Sequence, residues 1–332
     1  MHGGALDILQ ASFPEAPTPW VDLSTGINPW PWPIPTIPEG SLHHLPTRAA
    51  SDACREAMAS AFGAPVDSVL PVPGTELIIR LLPTVLGAST RRICLGRTTY
   101  ADHANAWRAA GAAIREVDDP LAASSDEDVV VCNPNNPTGQ GCDRAELEAA
   151  RAAREDTGHW LIIDEAYADL TPARSLAQWG GRDGLVILRS FGKFFGLAGV
   201  RLGALIAPHR VIKAVEKLLG QWAVAGPALW LGTLAYADKG WHEQTRQRLQ
   251  QAQANLDHTL CQVAAAHQLS IEGGTSLFRY VRVRDAHALW FHLARSGVYV
   301  RRFHWSRYHL RIGLPADEQG LARLREAATP SA

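Results

Sequence analysis

Three short apolar runs, Val129-Val130-Val131-Cys132, Leu161-Ile162-Ile163 and Leu185 to Arg189, each stop abruptly at a polar residue or a turn. Runs of this kind suit strands buried on both faces rather than half-exposed ones. Strand and helix patterns alternate from about Ser51 to Pro208. That alternation predicts an α/β fold, a doubly wound and mainly parallel sheet with helices on both sides. Such sheets bind ligands at the carboxyl ends of their strands, so the turn that leaves each run is the place to look for chemistry.

The most informative of these ends is Ser190-Phe191-Gly192-Lys193-Phe194-Phe195-Gly196-Leu197-Ala198-Gly199-Val200-Arg201-Leu202-Gly203. It sets one lysine among aromatics and glycines, with an arginine eight residues on. The chain has only four lysines (193, 213, 217 and 239) against many arginines. An arginine cannot form an imine, whereas a lysine amine can, once its pKa is brought down from about 10.4 by desolvation or nearby cations. A second end carries Asp164 and, three residues further, Tyr167. A third runs through Cys132-Asn133-Pro134-Asn135-Asn136-Pro137-Thr138-Gly139, where two prolines fix φ and Gly139 permits a sharp exit. Upstream, Pro73-Gly74-Thr75-Glu76 precedes the apolar run Leu77 to Leu86, a glycine-opened helix start suited to an anion.

Composition narrows the function classes. The chain of 332 residues has a formal net charge of −1 and no basic stripe, which argues against nucleic acid as a partner. Its five cysteines (54, 94, 132, 142 and 261) are odd in number and lack metal-ligand spacing. A reduced cytoplasm is therefore expected, and no metal. No apolar run reaches membrane-spanning length and the N-terminus lacks a signal pattern, so no membrane partner is expected either. Asp143-Arg144-Ala145-Glu146 reads as a capping-box start for one helix. After Pro208 the pattern changes to long helical stretches, with Pro227 expected to break the chain before a helix running towards Val263. A strand pair comes next (269 to 271 and 277 to 283), then a helix from Asp285 to Ser296, strands near 298 to 301 and 309 to 312, and a terminal helix. The proline-rich stretch Pro29 to Pro38 reads as an extended linker.

Taken in order, these motifs resemble the pyridoxal-phosphate (PLP) enzymes of the aspartate-aminotransferase fold, fold type I, in the branch of the histidinol-phosphate aminotransferases and threonine-phosphate decarboxylases. The resemblance runs from about Asp22 to Leu314. It implies a large PLP-binding domain over residues 46–225 and a smaller α+β domain from 1–45 and 226–332 that includes an N-terminal arm. It further implies that Lys193 holds PLP as an imine and later moves protons, that Asp164 pairs with the ring nitrogen, and that Asn136 and Tyr167 hydrogen-bond the ring's phenolic oxygen. Gly74, Thr75, Ser190 and Arg201 would hold the cofactor phosphate, and Tyr100 would stack on the ring. Arg311, in Tyr308-His309-Leu310-Arg311-Ile312-Gly313, matches the arginine that binds the substrate carboxylate. Taken singly, each residue also has an ordinary use: Asp164 or Thr75 as a helix cap, Tyr100 as packing, Arg311 on a solvated strand face.

The start His2-Gly3-Gly4, the segment Asp22-Leu23-Ser24-Thr25-Gly26-Ile27-Asn28-Pro29 and the short chain are similar to the decarboxylase branch of cobalamin biosynthesis. That branch converts L-threonine O-3-phosphate to (R)-1-amino-2-propanol O-2-phosphate. His2, Gly26, Asn136 and Arg301 join Arg311 as substrate-binding candidates, with Arg302 and His304 nearby. The alternative is a histidinol-phosphate-type aminotransferase using 2-oxoglutarate, and a third is a non-catalytic scaffold. A homodimer is implied, although Leu45 stands where many relatives place a tyrosine that reaches the neighbour's cofactor; His43 or His44 is the available substitute. If Lys193 carries the imine, the purified protein will show an absorbance band near the visible edge that Lys193→Ala abolishes. Retention of the band in that variant would return the chain to the scaffold class.

Overall fold

A computed structural model describes residues 3–329 of the chain. The chain divides into two compact units, Pro31–Asn136 with Gln140–His242, and Met1–Trp30 with Pro137–Gly139 and Glu243–Ala332.

Strand β1 (Val21–Leu23) belongs to the smaller unit. The larger unit holds β2 (Val69–Val72), β3 (Arg92–Gly96), β4 (Ala113–Val117), β5 (Asp128–Cys132), β6 (Leu161–Asp164), β7 (Leu185–Ser190) and β8 (Gly203–Ile206). Their order across the sheet is β2-β8-β7-β6-β5-β3-β4. All neighbours from β7 to β4 are parallel, and β8 runs antiparallel to both β7 and β2. Every residue of β5 and β6 is buried, as are Leu185 to Arg189 of β7. Each valine, leucine or isoleucine so enclosed contributes about 1.5–3 kcal/mol of transfer free energy, which is why polar interruptions are confined to the strand ends. Trp107 and Trp160 complete one flank of this core.

Register matters more than strand count here. Cys132 of β5 pairs with Asp164 of β6, and Ser190 of β7 pairs with Gly203 of β8. The parallel strands β5, β6 and β7 therefore end at one edge, and the three turns that leave them open side by side. The loop after β7 is clamped from below by its own aromatics. Phe191 stacks on Phe195 at 4.6 Å, and Phe195 stacks on Trp241 at 5.7 Å. Phe194 meets Trp241 edge-on at 5.4 Å. Gly192 is required because a Cβ there would lie 2.8 Å from the Cα of Ala198.

The smaller unit carries β9 (Ser270–Thr275), β10 (Phe278–Arg282), β11 (Val298–Arg302) and β12 (His309–Gly313), in the order β1-β11-β12-β10-β9. Two sequence expectations change. Pro227 does not break the chain; it sits in the first turn of the helix Gly226–Ala237, where a missing N–H costs nothing. The interruption comes at Asp238, before the helix Lys239–His267. The domain limits expected at 45/46 and 225/226 both fall inside the larger unit. Helix Gly226–Ala237 packs close because Gly232 lacks a Cβ, which would meet Leu202 Cδ2 at 2.4 Å and Cys54 Sγ at 3.0 Å. Trp32, 5% exposed, is pinned by Nε1 donating to Asp238 at 3.1 Å, and its backbone N–H donates to Phe195 O at 2.9 Å. The proline-rich stretch thus contains the unit boundary at Trp30/Pro31, but its second half is anchored rather than free.

Pro137–Gly139 folds with the smaller unit through backbone-on-backbone contact. At Gly139, φ is +73° and a Cβ would stand 2.2 Å from the carbonyl carbon of Gly274. Neither a flexible side chain nor solvent can give way there. Gly139→Ala is expected to destabilise the protein by at least about 2 kcal/mol in denaturant unfolding, through the left-handed backbone and the clash together. An unchanged midpoint would mean the two segments separate without cost.

Candidate active site

The ends of β5, β6 and β7, with the start of the helix Thr75–Val85, line one cavity of about 260 Å³ in the larger unit. Gly74, Thr75, Tyr100, Asn136, Asp164, Tyr167, Ser190, Lys193 and Arg201 all contribute to its wall. All nine cofactor-binding candidates from the sequence are therefore brought together. The volume suits a small molecule, not a macromolecular segment.

Local chemistry explains the arrangement. Gly74, not Thr75, takes the cap position of the helix Thr75–Val85; its φ of +83° is open to glycine, and no side chain caps the first turn. The first amides of such a helix lack carbonyl partners within it and carry the positive end of its dipole. A Cβ on Gly74 would lie 2.8 Å from Nη2 of Arg201, so the glycine admits the guanidinium beside those amides. Arg201 itself is held in the left-handed region (φ 55°), with Nη1 donating to Ala198 O at 3.2 Å. Amides, a hydroxyl from Ser190 and a guanidinium form a cradle whose chemistry fits a phosphate.

The asparagine motif is divided between structure and site. Asn133 Oδ1 accepts from the Cys142 N–H at 3.0 Å, and Asn135 Nδ2 donates to Thr98 O at 2.8 Å. These bonds hold the turn and leave Asn136 on the cavity wall. Tyr100 caps the helix Ala101–Ala109 by position, and its hydroxyl donates to Glu76 Oε2 at 3.1 Å. Burial, followed by the neighbouring carboxylates of Asp102 and Glu76, raises its phenol pKa above the ordinary value.

Asp164 is buried at the end of β6 and fully engaged. Its Oδ1 accepts from the Ala166 N–H at 3.1 Å, and its Oδ2 lies 2.9 Å from Nε2 of His103. Neither His103 nor Glu76, which also lines the cavity, stands out in the sequence motifs. A signal is present for the first. In the helix Ala101–Ala109 the buried residues include His103, Ala104 and Trp107, so the imidazole sits on the apolar stripe. Behind Asp164, Glu165 forms a second buried pair, accepting from Arg189 Nη1 at 2.9 Å and from Ser175 Oγ at 2.6 Å. Asp169 binds the same guanidinium. These bonds tie β6 to β7 below the cavity.

Arg301, Arg311 and Gly26 lie in the smaller unit. Arg311 is paired across the strands with Arg301 and with Tyr280. Two guanidiniums directly opposite one another repel unless an anion or dipoles lie between them. Arg311 Nη2 donates to Ser24 O at 2.9 Å, and its guanidinium covers the Phe278 ring at 5.1 Å. The Gly4 N–H in turn donates to Ser24 Oγ at 2.8 Å. His2 lies outside the described residues. Leu45 is 64% exposed.

Burial opposes a charge on His103, but hydrogen bonds to Asp164 and Cys132, with the field of the carboxylate, outweigh it and push the imidazole up to about 10. A folded-state value raised above 6.5 adds stability that is complete below about pH 6.5 and is lost as pH climbs through about 10. The denaturant midpoint of the cofactor-free protein should fall over that window, and His103→Gln should flatten the fall. An imidazole NMR signal from His103 that titrates near 6.5 would contradict the pairing.

The sequence pattern of the family described as aminotransferase class I and II matches residues 34–327. The chain is 40% identical to a threonine-phosphate decarboxylase of Pseudomonas aeruginosa, over 98% of this chain and 96% of that protein. It is 38% identical to a threonine-phosphate decarboxylase of a Sinorhizobium species, over 98% and 97%. Among solved structures, the histidinol-phosphate aminotransferase of Sinorhizobium meliloti in complex with pyridoxal-5'-phosphate superposes with a TM-score of 0.82 at 17% identity, covering 97% of this chain and 93% of that one. The strand order, the cavity at the strand ends and the match along the chain agree: this protein belongs to the class I and II aminotransferase family.

Proposed function

We propose that the protein catalyses the PLP-dependent decarboxylation of L-threonine O-3-phosphate to (R)-1-amino-2-propanol O-2-phosphate, a step of cobalamin biosynthesis. The observation that carries this reading is the end-to-end likeness to the two decarboxylases, at 40% and 38% identity. The residues present fit the cofactor, because a glycine whose missing Cβ makes room for Arg201 lies beside uncapped helix amides, across one cavity from a lysine and a buried carboxylate.

Bound PLP would supply a protonated ring into which the electron pair of a broken Cα bond can delocalise. The chain's own groups do the rest. The Thr75 end of the helix, Ser190 and Arg201 bind the phosphate. Asp164, oriented by His103 and the Ala166 amide, would accept a hydrogen bond from the ring nitrogen and so favour its protonated state. Asn136 and Tyr167 would donate to the phenolic oxygen, and Tyr100 would cover the ring. Lys193 would hold the cofactor through Nζ, and its amine on the cavity wall would serve as the proton donor to the substrate Cα.

Which Cα bond breaks depends on which one stands perpendicular to the ring. Arg311 would fix that angle by gripping the carboxylate, and Arg301, its cross-strand neighbour, would balance the second charge of a phosphorylated substrate. Gly26 and the Gly3–Gly4 arm would close on the same substrate. We read the enzyme as a cytosolic homodimer.

Purified enzyme given threonine phosphate should release carbon dioxide and form no glutamate from 2-oxoglutarate. The reverse result would establish the aminotransferase alternative. Arg311→Lys should lower kcat/KM by at least about tenfold, because an ammonium cannot reproduce the two-point grip on a carboxylate. Borohydride trapping followed by peptide mapping should label Lys193.

A further inference from the structure

His103, Cys132 and Asp164 are all buried, and one donor atom from each lies within 4.8 Å of the others. They come from three separate segments: the helix Ala101–Ala109 and the last residues of β5 and β6. Cys132 and Asp164 are register partners on adjacent parallel strands, so their backbones cannot drift apart. Both also line the cavity, while His103, 1% exposed, stands behind them. The Tyr100 ring packs edge-on against the imidazole at 6.1 Å and limits its rotation.

We propose that in the cofactor-free protein these three side chains bind one divalent ion of the zinc type, solvent from the cavity supplying the fourth ligand, and that this ion and PLP exclude one another. The exclusion rests on the reading that Asp164 partners the ring nitrogen; the metal site itself does not.

The donor set selects the ion. Imidazole nitrogen, thiolate sulfur and one carboxylate oxygen suit zinc, cadmium or cobalt, whereas magnesium and calcium require oxygen ligands. Tetrahedral zinc with bonds of about 2.0–2.3 Å needs its donors about 3.3–3.6 Å apart. The present His103–Asp164 distance of 2.9 Å has to open by only about half an ångström. Three protein ligands with a fourth position facing a cavity is the arrangement of open zinc sites. Coordination breaks the His103–Asp164 hydrogen bond, forms metal–nitrogen, metal–oxygen and metal–sulfur bonds, and sends two protons to solvent, one from the thiol and one from the imidazolium. No oxidant or reductant is involved. With the ion on the carboxylate and its fourth ligand in the cavity, a protonated ring nitrogen would meet a cation in place of a free carboxylate charge.

The test is metal titration of the full-length protein with cofactor removed, alongside the PLP-loaded protein. Zinc should bind at one ion per chain by equilibrium dialysis. Cobalt should give a near-ultraviolet sulfur-to-metal charge-transfer band. Cys132→Ser and His103→Gln should each lower zinc affinity by at least about tenfold, and Cys132→Ser should erase the band. Cys261→Ser, a change at an exposed cysteine, should leave both intact. Pre-loading with PLP should abolish uptake at this position. A far-ultraviolet circular-dichroism spectrum and a denaturant midpoint close to those of the parent identify each variant as folded, and His103→Gln serves where Cys132→Ser does not fold. The proposal is overturned if the cofactor-free protein shows no band, if the band survives Cys132→Ser, or if the PLP-loaded protein gives the same band. Should borohydride label a residue other than Lys193 while the band still depends on Cys132, the functional reading fails and the metal site stands.

Discussion

The register between β5, β6 and β7 is the constraint on which the site depends. Because the strands are parallel and paired Cys132 to Asp164 and Asp164 to Leu188, their carboxyl ends reach the same level of the sheet. A slip of one residue would turn Asp164 to the opposite face and put a carboxylate where an apolar side chain belongs. The fully apolar interiors of these strands prevent that slip, so core packing and site geometry are one requirement.

Two buried ionic groups reinforce the register at different depths. The Glu165–Arg189 pair, completed by Ser175 and Asp169, joins β6 to β7 inside the core. The His103–Asp164 pair ties the helix Ala101–Ala109 to the cavity floor. Buried pairs of this kind add little net stability over apolar packing, since desolvation offsets much of their attraction. Their value here is positional: they fix where each carboxylate points. The same fixation brings the three donors of the proposed metal site together, so the geometry that would orient Asp164 for a ring nitrogen would also suit a competitor for it.

The lysine loop obeys a related logic. Phe191, Phe194 and Phe195 look in the sequence like decoration around Lys193, yet in the structure they bury themselves against Tyr236, Trp241 and His242. The loop is therefore rigid on its inner side. Its outer side presents a half-buried amine to the cavity, and glycines at 192 and 203 allow backbone contact too close for any side chain.

Much of this architecture is legible in the chain because it depends on short-range pattern. Apolar runs ending in polar turns specify the parallel sheet and single out Lys193, Asp164 and Tyr167 at its strand ends, while the choice of Asn136 among three asparagines and the phosphate role of Gly74 and Arg201 come from the family resemblance. Pro227 misleads because proline signals a break equally at a helix interior and a helix start; only the packing of its helix through Gly232 distinguishes them. The limits of the compact units are displaced for the same reason, since Trp32 and the helix Gly226–Ala237 are assigned by what they touch. His103 and Cys132 escape a motif reading because their partner Asp164 is remote in the chain, 61 residues from His103, and arrives through sheet register alone. The sequence by itself determined which groups the fold offers at its strand ends, since alternation and turn chemistry act over a few residues. Tertiary structure alone decided which of those groups meet, because contact across distant segments is set by register and close packing.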